Sequence, residues 1–215
     1  MKSYKHIFFD WDGSLAMTLP FWFGSIKKAG EDYGLQLSER QVVSMIGNLH
    51  IGAVGLGVKE EDFKKFEAAI YAYFAQNMQD MQLYEGAAPL LRELKSEGKT
   101  LALISSGLRP NLLVMLKKTG IEDCFDLVIS GSDVTHRKPH PEPLEKAFAH
   151  LGSQRDETIM IGDSEHDLNA AHAAGVDCAL FYPDSHAFFY DLEHLRKSNP
   201  TYTMRTFADL RKLLL

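Results

Sequence analysis

Apolar side chains run along this chain in two rhythms. Short continuous runs, rich in branched or aromatic residues, fall at 4–9 (YKHIFF), 100–104 (TLALI), 126–129 (DLVI), 158–162 (TIMIG) and 176–181 (VDCALF). Runs of this length predict strands buried on both faces. Between them, segments 87–97, 109–119, 141–151 and 165–174 carry helical spacing. Gly98, Gly120 and Gly175 stop three of these helices, and Pro141 suits the first turn of another. Strands alternating with such helices predict an α/β fold: a mostly parallel sheet with helices on both faces. The tail is less regular, with a helical pattern over 187–197, a short strand at 201–204 and a terminal helix from Phe207 to Leu215.

One stretch departs from this rhythm. Residues 19–84 contain no convincing strand. Helices are predicted over 21–34 and, behind a Ser38 N-cap, over 39–46. A glycine-rich loop, 46–57, follows, and then a long helix over 60–80. In that helix Phe63, Phe66, Ala69, Ile70, Tyr73 and Phe74 recur at helical spacing, a stripe that predicts core packing. The expected organisation is therefore a discontinuous α/β core, 1–18 and 85–215, with an all-helical insert at 19–84. An insert at that point would overhang the carboxyl edge of the sheet, where open α/β folds bind ligands.

Four segments fall at predicted strand tips: Asp10-Trp11-Asp12-Gly13-Ser14, Ser105-Ser106-Gly107, Arg137-Lys138-Pro139, and Gly162-Asp163-Ser164 with Asp167. In a parallel sheet these tips converge on one edge. They gather carboxylates, a hydroxyl and an ammonium. Clustered carboxylates raise one another's pKa and call for a cation. Mg2+ suits an all-oxygen set of one or two carboxylates plus substrate phosphate. Asp10 and Asp163 are the natural direct ligands, with Asp167 supporting them one helical turn on. Asp10 is also the better nucleophile, and Asp12, turned by Gly13, can act as general acid and base at a leaving group. Ser105 and Lys138 suit phosphoryl oxygens. Backbone N–H groups at residues 11–13 and at Ser106-Gly107 could complete an anion nest.

Composition narrows the functional classes. A chain of 215 residues allows one large domain, or one domain bearing a smaller one. The net charge of −6 supplies no basic stripe, so a nucleic-acid polymer is not the expected partner. Cys124 and Cys178 form no CxxC pair and read as buried, reduced thiols of a cytoplasmic protein. Neither a signal peptide nor a run of 18 apolar residues is present, so no membrane association is expected.

The four segments, in this order, resemble the motifs of the haloacid dehalogenase-like hydrolase superfamily, in particular its phosphoglycolate phosphatase-like and β-phosphoglucomutase-like branch. FFDWDGS is similar to the first motif, with Asp10 at the nucleophile position and Asp12 at that of the general acid/base. Ser105 matches the phosphate-binding residue of the second motif, and Lys138 in RKPHPEP the lysine of the third. IGDSEHDLNAAHAAG resembles the fourth, placing Asp163 as metal ligand and Asp167 behind the metal shell. The resemblance implies a Rossmann-like three-layer core and a helical cap after the first motif. It also implies that the backbone carbonyl of Asp12 joins the Mg2+ ligands, and that Asn48 lies in the cap segment that reaches the site. Gly13, Ser14, Ser106 and Gly107 are expected to line the phosphate pocket.

Departures from the pattern are informative. Ser14 stands where threonine is usual but keeps a hydroxyl, and Trp11 is bulkier than the usual residue. Dehalogenating and phosphonate-cleaving relatives lack an acid at the position of Asp12, so its presence favours cleavage of a phosphate ester or anhydride. The expected activity is a Mg2+-dependent phosphatase acting on a small phosphorylated metabolite through an aspartyl-phosphate. A phosphomutase is the alternative, disfavoured because the loop 46–57 offers no arginine, and a non-catalytic binding module is a third. A monomer or homodimer is expected. His186 and Tyr190 could reach the cleft between core and cap, with a structural or surface role favoured.

Overall fold

The computed structural model describes residues 2–215. It divides into two compact units, one formed by the chain up to Met17 together with Gln82–Leu215, the other by Thr18–Met81.

The larger unit begins with β1 (His6–Phe9), whose Ile7, Phe8 and Phe9 are fully buried. After the helical insert it continues with α5 (Ala87–Ser96), β2 (Thr100–Ile104), α6 (Arg109–Thr119), β3 (Leu127–Ile129) and α7 (Glu142–Leu151). Then follow β4 (Thr158–Gly162), α8 (Glu165–Ala174), β5 (Asp177–Phe181), α9 (Leu192–Arg196), β6 (Tyr202–Met204) and α10 (Phe207–Leu214). Every strand pairing is parallel, in the order β3-β2-β1-β4-β5-β6.

Register sorts the strand side chains onto two faces. Phe8, Ala102, Met160 and Cys178 align across the sheet and enter one core with Leu144, Ala147 and Phe148 of α7 and Leu168 and Ala171 of α8. Phe181 points to the opposite face and packs on Phe207 of α10, ring centroids 5.0 Å apart. On that side Arg211 of α10 grips Glu93 of α5 through two N–H···O bonds of 2.8 and 2.6 Å. Covering both faces explains why these strands read as continuous apolar runs rather than as alternating ones.

The smaller unit contains α1 (Leu19–Asp32), α2 (Glu39–Met45), α3 (Leu49–Gly55) and α4 (Phe63–Asn77). Its core joins Ile26 and Ala29, Val42 and Met45, Ala53, Val58, and Phe66 and Ile70. Trp22 stacks on Phe74 with centroids 4.2 Å apart. The aromatic stripe is thus core, as its spacing predicts. Ser38 caps α2 in a reciprocal box with Gln41.

Three expectations need correction. The predicted loop 46–57 contains a helix, α3, despite its glycines. Packing explains this: a Cβ on Gly52 would lie 2.6 Å from Met45 Cγ and 3.3 Å from Met45 Cα, so the missing side chain lets α3 close on α2. The predicted helix 60–80 is α4 flanked by 3-10 turns at Glu60–Asp62 and Met78–Asp80. The predicted helix 187–197 is a 3-10 segment, Asp184–Phe188, followed by the separate α9, which starts at an Asp191 cap. No helix among the described residues is long and apolar enough to cross a membrane.

Candidate active site

The strand order reverses its sense between β1 and β4, the switch point at which open α/β sheets bind ligands beyond the carboxyl ends of their strands. Phe9 is in register with Ile161, and the Asp10 N–H donates to the Ile161 carbonyl at 2.8 Å. The residues that follow each strand, Asp10 and Asp163, therefore emerge side by side.

Asp167 joins them through the start of α8. Its Oδ2 accepts from the Ser164 N–H (3.1 Å) and hydroxyl (2.7 Å), closing a capping box. That fixes the carboxylate and leaves Oδ1 turned toward Lys138. The close approach depends on Gly162, where a Cβ would sit 2.3 Å from Asp167 Cβ and Cγ. Asp10, Asp163 and Asp167 are all buried and offer carboxylate oxygens within 4.8 Å of one another.

Lys138 arrives on the loop after β3. That loop is built by its own polar contacts. The Ser130 N–H and hydroxyl donate to Asp133 at 2.8 and 2.6 Å, and the Gly131 N–H donates to the Gly107 carbonyl at 2.9 Å. A Cβ on Gly131 would lie 2.3 Å from the Ser106 carbonyl oxygen, so only glycine lets the loop seat against the tip of β2. Lys138 is buried, and its ammonium donates to Asp10 Oδ1 (2.5 Å), Asp167 Oδ1 (2.6 Å) and the Ile104 carbonyl (2.7 Å). The Lys138–Pro139 peptide bond is cis.

Electrostatics follows from this packing. Burial, and then the Asp167 charge, push the Asp10 carboxyl up to about 8, with Lys138 opposing them. Asp163 is likewise held well above the usual carboxylate range by burial and by Asp167 and Asp10. For Lys138, burial alone would lower the pKa, but Asp10 and Asp167 outweigh it and hold the amine charged. One ammonium thus faces three buried carboxylates, and Asp163 Oδ2 has no hydrogen-bond partner. An all-oxygen donor set with excess negative charge and an orphaned buried oxygen fits a hard dication such as Mg2+.

The remaining expected residues divide. Asp12 is half-buried, and its Oδ2 lies 3.8 Å from where a Gly107 Cβ would stand, which brings the tips of β1 and β2 together. Ser105 is buried, and its Oγ accepts from the Gly107 N–H at 3.0 Å. The Gly13 N–H donates to the Ala16 carbonyl at 3.0 Å. Of the N–H groups expected to form an anion nest, at residues 11–13 and at Ser106-Gly107, those of Gly13 and Gly107 are thus bonded inside the chain, each tip closing on itself as a tight turn. Ser14 is buried with an unpartnered hydroxyl, and Ser106 is half-buried with its carbonyl toward Gly131. Asn48, in the helical unit, is exposed at the start of α3 and makes no side-chain cap.

Gly131 has no counterpart among the residues expected from the sequence, Gly162 is expected only as the residue before Asp163, and the tail is underrated. No residue pattern marks Gly131; Gly162, between a strand and Asp163, carries a readable signal. His186 is fully buried and shares a 2.7 Å hydrogen bond with the Tyr84 hydroxyl, so a surface position is excluded. Tyr190 packs on His186 and faces Asp163; burial first, and the Asp163 charge second, hold its phenol well above the usual range. Cys124 and Cys178 are free and buried.

A parallel sheet whose switch point carries paired aspartates and a buried lysine, in a chain with an all-helical insert after the first strand, defines a class of hydrolase. Residues 7–181 match the haloacid dehalogenase-like hydrolase family, and the chain belongs to it. It is 29% identical to pyrophosphatase PpaX of Halalkalibacterium halodurans over 209 residues, covering 95% of this chain and 94% of that protein. It is 31% identical to the phosphoglycolate phosphatase of Yersinia pestis over 222 residues, covering 97% of this chain and 92% of that protein. Among solved structures, a predicted phosphoglycolate phosphatase from Haemophilus somnus superposes with a TM-score of 0.81 at 26% identity, covering 99% of both chains. The chain is thus an enzyme of the phosphatase-containing family, acting on a small phosphorylated substrate through an aspartate-based site.

Proposed function

We propose that this protein is a Mg2+-dependent phosphatase of small phosphate monoesters that works through an aspartyl-phosphate on Asp10. One observation carries the reading: Asp10, Asp163, Asp167 and Lys138 meet, buried, at the sheet's switch point, with Asp12 two residues beyond the nucleophile.

The Asp10 carboxylate attacks phosphorus in line with the leaving oxygen, forming one P–O bond as the other breaks. Asp12, entering as the acid, gives its proton to that oxygen, and the alcohol departs. As carboxylate, Asp12 then takes a proton from water, which attacks the phosphoaspartate and frees Asp10 and inorganic phosphate. Lys138 holds Asp10 in place and faces the charge that builds on the phosphoryl oxygens; Ser105 stands at the neighbouring tip for the same group. Asp10, Asp163 and the Asp12 carbonyl would hold Mg2+, with Asp167 braced behind them by Ser164. When bound, the ion offsets repulsion between an anionic nucleophile and an anionic substrate.

The relatives' names support two substrate types, phosphoglycolate and pyrophosphate. Pyrophosphate fits the same chemistry, since its leaving group is itself a phosphate oxygen. The test is phosphate release from a panel of phosphoglycolate, sugar phosphates, mononucleotides and pyrophosphate, with and without Mg2+. The expected result is turnover that needs the metal and falls at least about a thousandfold in Asp10→Asn. Full activity of that variant would overturn the nucleophile assignment. Transfer of the phosphoryl group to a second sugar hydroxyl, in place of free phosphate, would make the enzyme a mutase.

A further inference from the structure

The loop that delivers Lys138 inward carries a second, separate cluster on its outer side. His136, His140 and Glu142 offer one ligand atom each within 4.8 Å of one another. Both histidines are exposed, and Glu142 is half-buried at the first turn of α7. His136 Nδ1 lies 3.1 Å from Glu142 Oε2. That hydrogen-bond distance is a few tenths of an ångström short of the roughly 3.4 Å between two tetrahedral ligands held about 2.1 Å from one ion. The two imidazole rings lie 4.6 Å apart, tilted by 32°. His140 Nδ1 accepts from the Glu142 N–H at 3.1 Å, which seats the ring beside Glu142; an ion binding at this atom would take its lone pair over from the backbone N–H.

We propose that His136, His140 and Glu142 form a binding site for a transition-metal dication of the Zn2+ type, distinct from the aspartate site. Ligand chemistry separates the two. Two imidazoles and one carboxylate suit a borderline cation such as Zn2+, whereas the buried carboxylates suit Mg2+. Three protein ligands with exposed histidines leave a fourth position for water.

The carboxylate is set in place before any ion arrives. Glu142 Oε1 accepts from the Thr135 N–H (2.9 Å) and meets Lys146 Nζ at 3.1 Å, and Oε2 accepts from the His136 N–H (2.8 Å). Supporting bonds of this kind orient metal ligands and raise affinity. If Glu142 only tied the loop to α7, the gathering of two imidazoles and a carboxylate within 4.8 Å would have no role. An ion held here would fix the backbone on both sides of Lys138.

The test titrates Zn2+ against a chromophoric chelator into full-length protein kept in excess Mg2+, which occupies the aspartate site. Co2+ serves in parallel as a spectroscopic probe. The expected result is one Zn2+ equivalent bound, and visible Co2+ absorption of a four- or five-coordinate site. Affinity should fall at least about tenfold in His136→Ala/His140→Ala and stay unchanged in Asp163→Asn. Thermal melting and Mg2+-dependent turnover of the double variant should match the wild type, which shows that it is folded. No Zn2+ binding under Mg2+, binding undiminished in the double variant, or binding lost in Asp163→Asn would each overturn the proposal.

Discussion

Two residues illustrate how little freedom the site leaves its neighbours. Gly162 has room for hydrogen only, because Asp167 Cβ and Cγ occupy the space a methyl would take, 2.3 Å away. Gly162→Ala should therefore displace Asp167, and with it the Lys138 contact. A shift of about 1 Å in a reacting constellation costs on the order of a hundredfold, so steady-state kinetics should show kcat lowered by about that factor. Wild-type kcat in this variant would mean that Asp167 is not held where its bonds suggest. His186 acts on stability instead. Burial lowers its pKa from the ordinary 6.5 to about 4. The folded pKa lies below the unfolded one, so the unfolded chain takes up the proton first as pH falls. The contribution is complete above pH 6.5, declines between 6.5 and about 4, and is gone below that. A shift of this size corresponds to about 3 kcal/mol. The raised carboxyls Asp10 and Asp163 act in the opposite sense, which makes a difference measurement necessary. Urea unfolding of wild type and His186→Gln at a series of pH values should show the variant losing less stability on acidification from pH 7 to 4. Parallel curves would rule out a buried neutral histidine.

At the scale of elements, the strands of the core were the most legible. A run such as TIMIG, with every residue buried in the structure, cannot alternate, and its length admits a strand rather than a helix. Glycines past helix ends were equally readable, since Gly120 and Gly175 adopt positive φ as helix stops. The acidic tips were legible because each follows a strand directly. Two kinds of feature were not. The stretch 187–197 reads as one helix because its apolar spacing continues through a break that only the Asp191 cap enforces. The segment 46–57 reads as a loop because local propensity counts its glycines against a helix, while the compensating contact, α3 on α2, is tertiary. That contact gives a prediction with a sign opposite to propensity. Gly52→Ala should gain about 1 kcal/mol as a helix substitution but lose about 1–3 kcal/mol by crowding Met45. Chemical denaturation should show net destabilisation; a stabilised variant would mean that Met45 simply moves aside.

For the molecule as a whole, the site is a place where folding and function pull apart. Folding gathers Asp10, Asp163 and Asp167 out of water around a single ammonium and leaves Asp163 Oδ2 without a partner. Buried like charges and an orphaned acceptor both oppose the folded state. The same arrangement fits a dication, whose binding to the folded form alone would stabilise it by mass action. Asp163→Asn removes one negative charge while nearly keeping the shape. In the absence of divalent metal the variant should melt at a higher temperature than the wild type, a gain of about 1–2 kcal/mol. With Mg2+ the order should reverse: the wild type gains stability as the ion is titrated, while the variant responds weakly and turns over substrate at least about a hundredfold more slowly. Scanning calorimetry of both proteins with and without Mg2+ decides the matter. Equal melting temperatures in chelator would mean that the acidic cluster imposes no strain on the fold, and that Lys138 alone balances it. A variant less stable than the wild type under both conditions would mean that the hydrogen bond between Tyr190 and Asp163 outweighs the repulsion within the cluster.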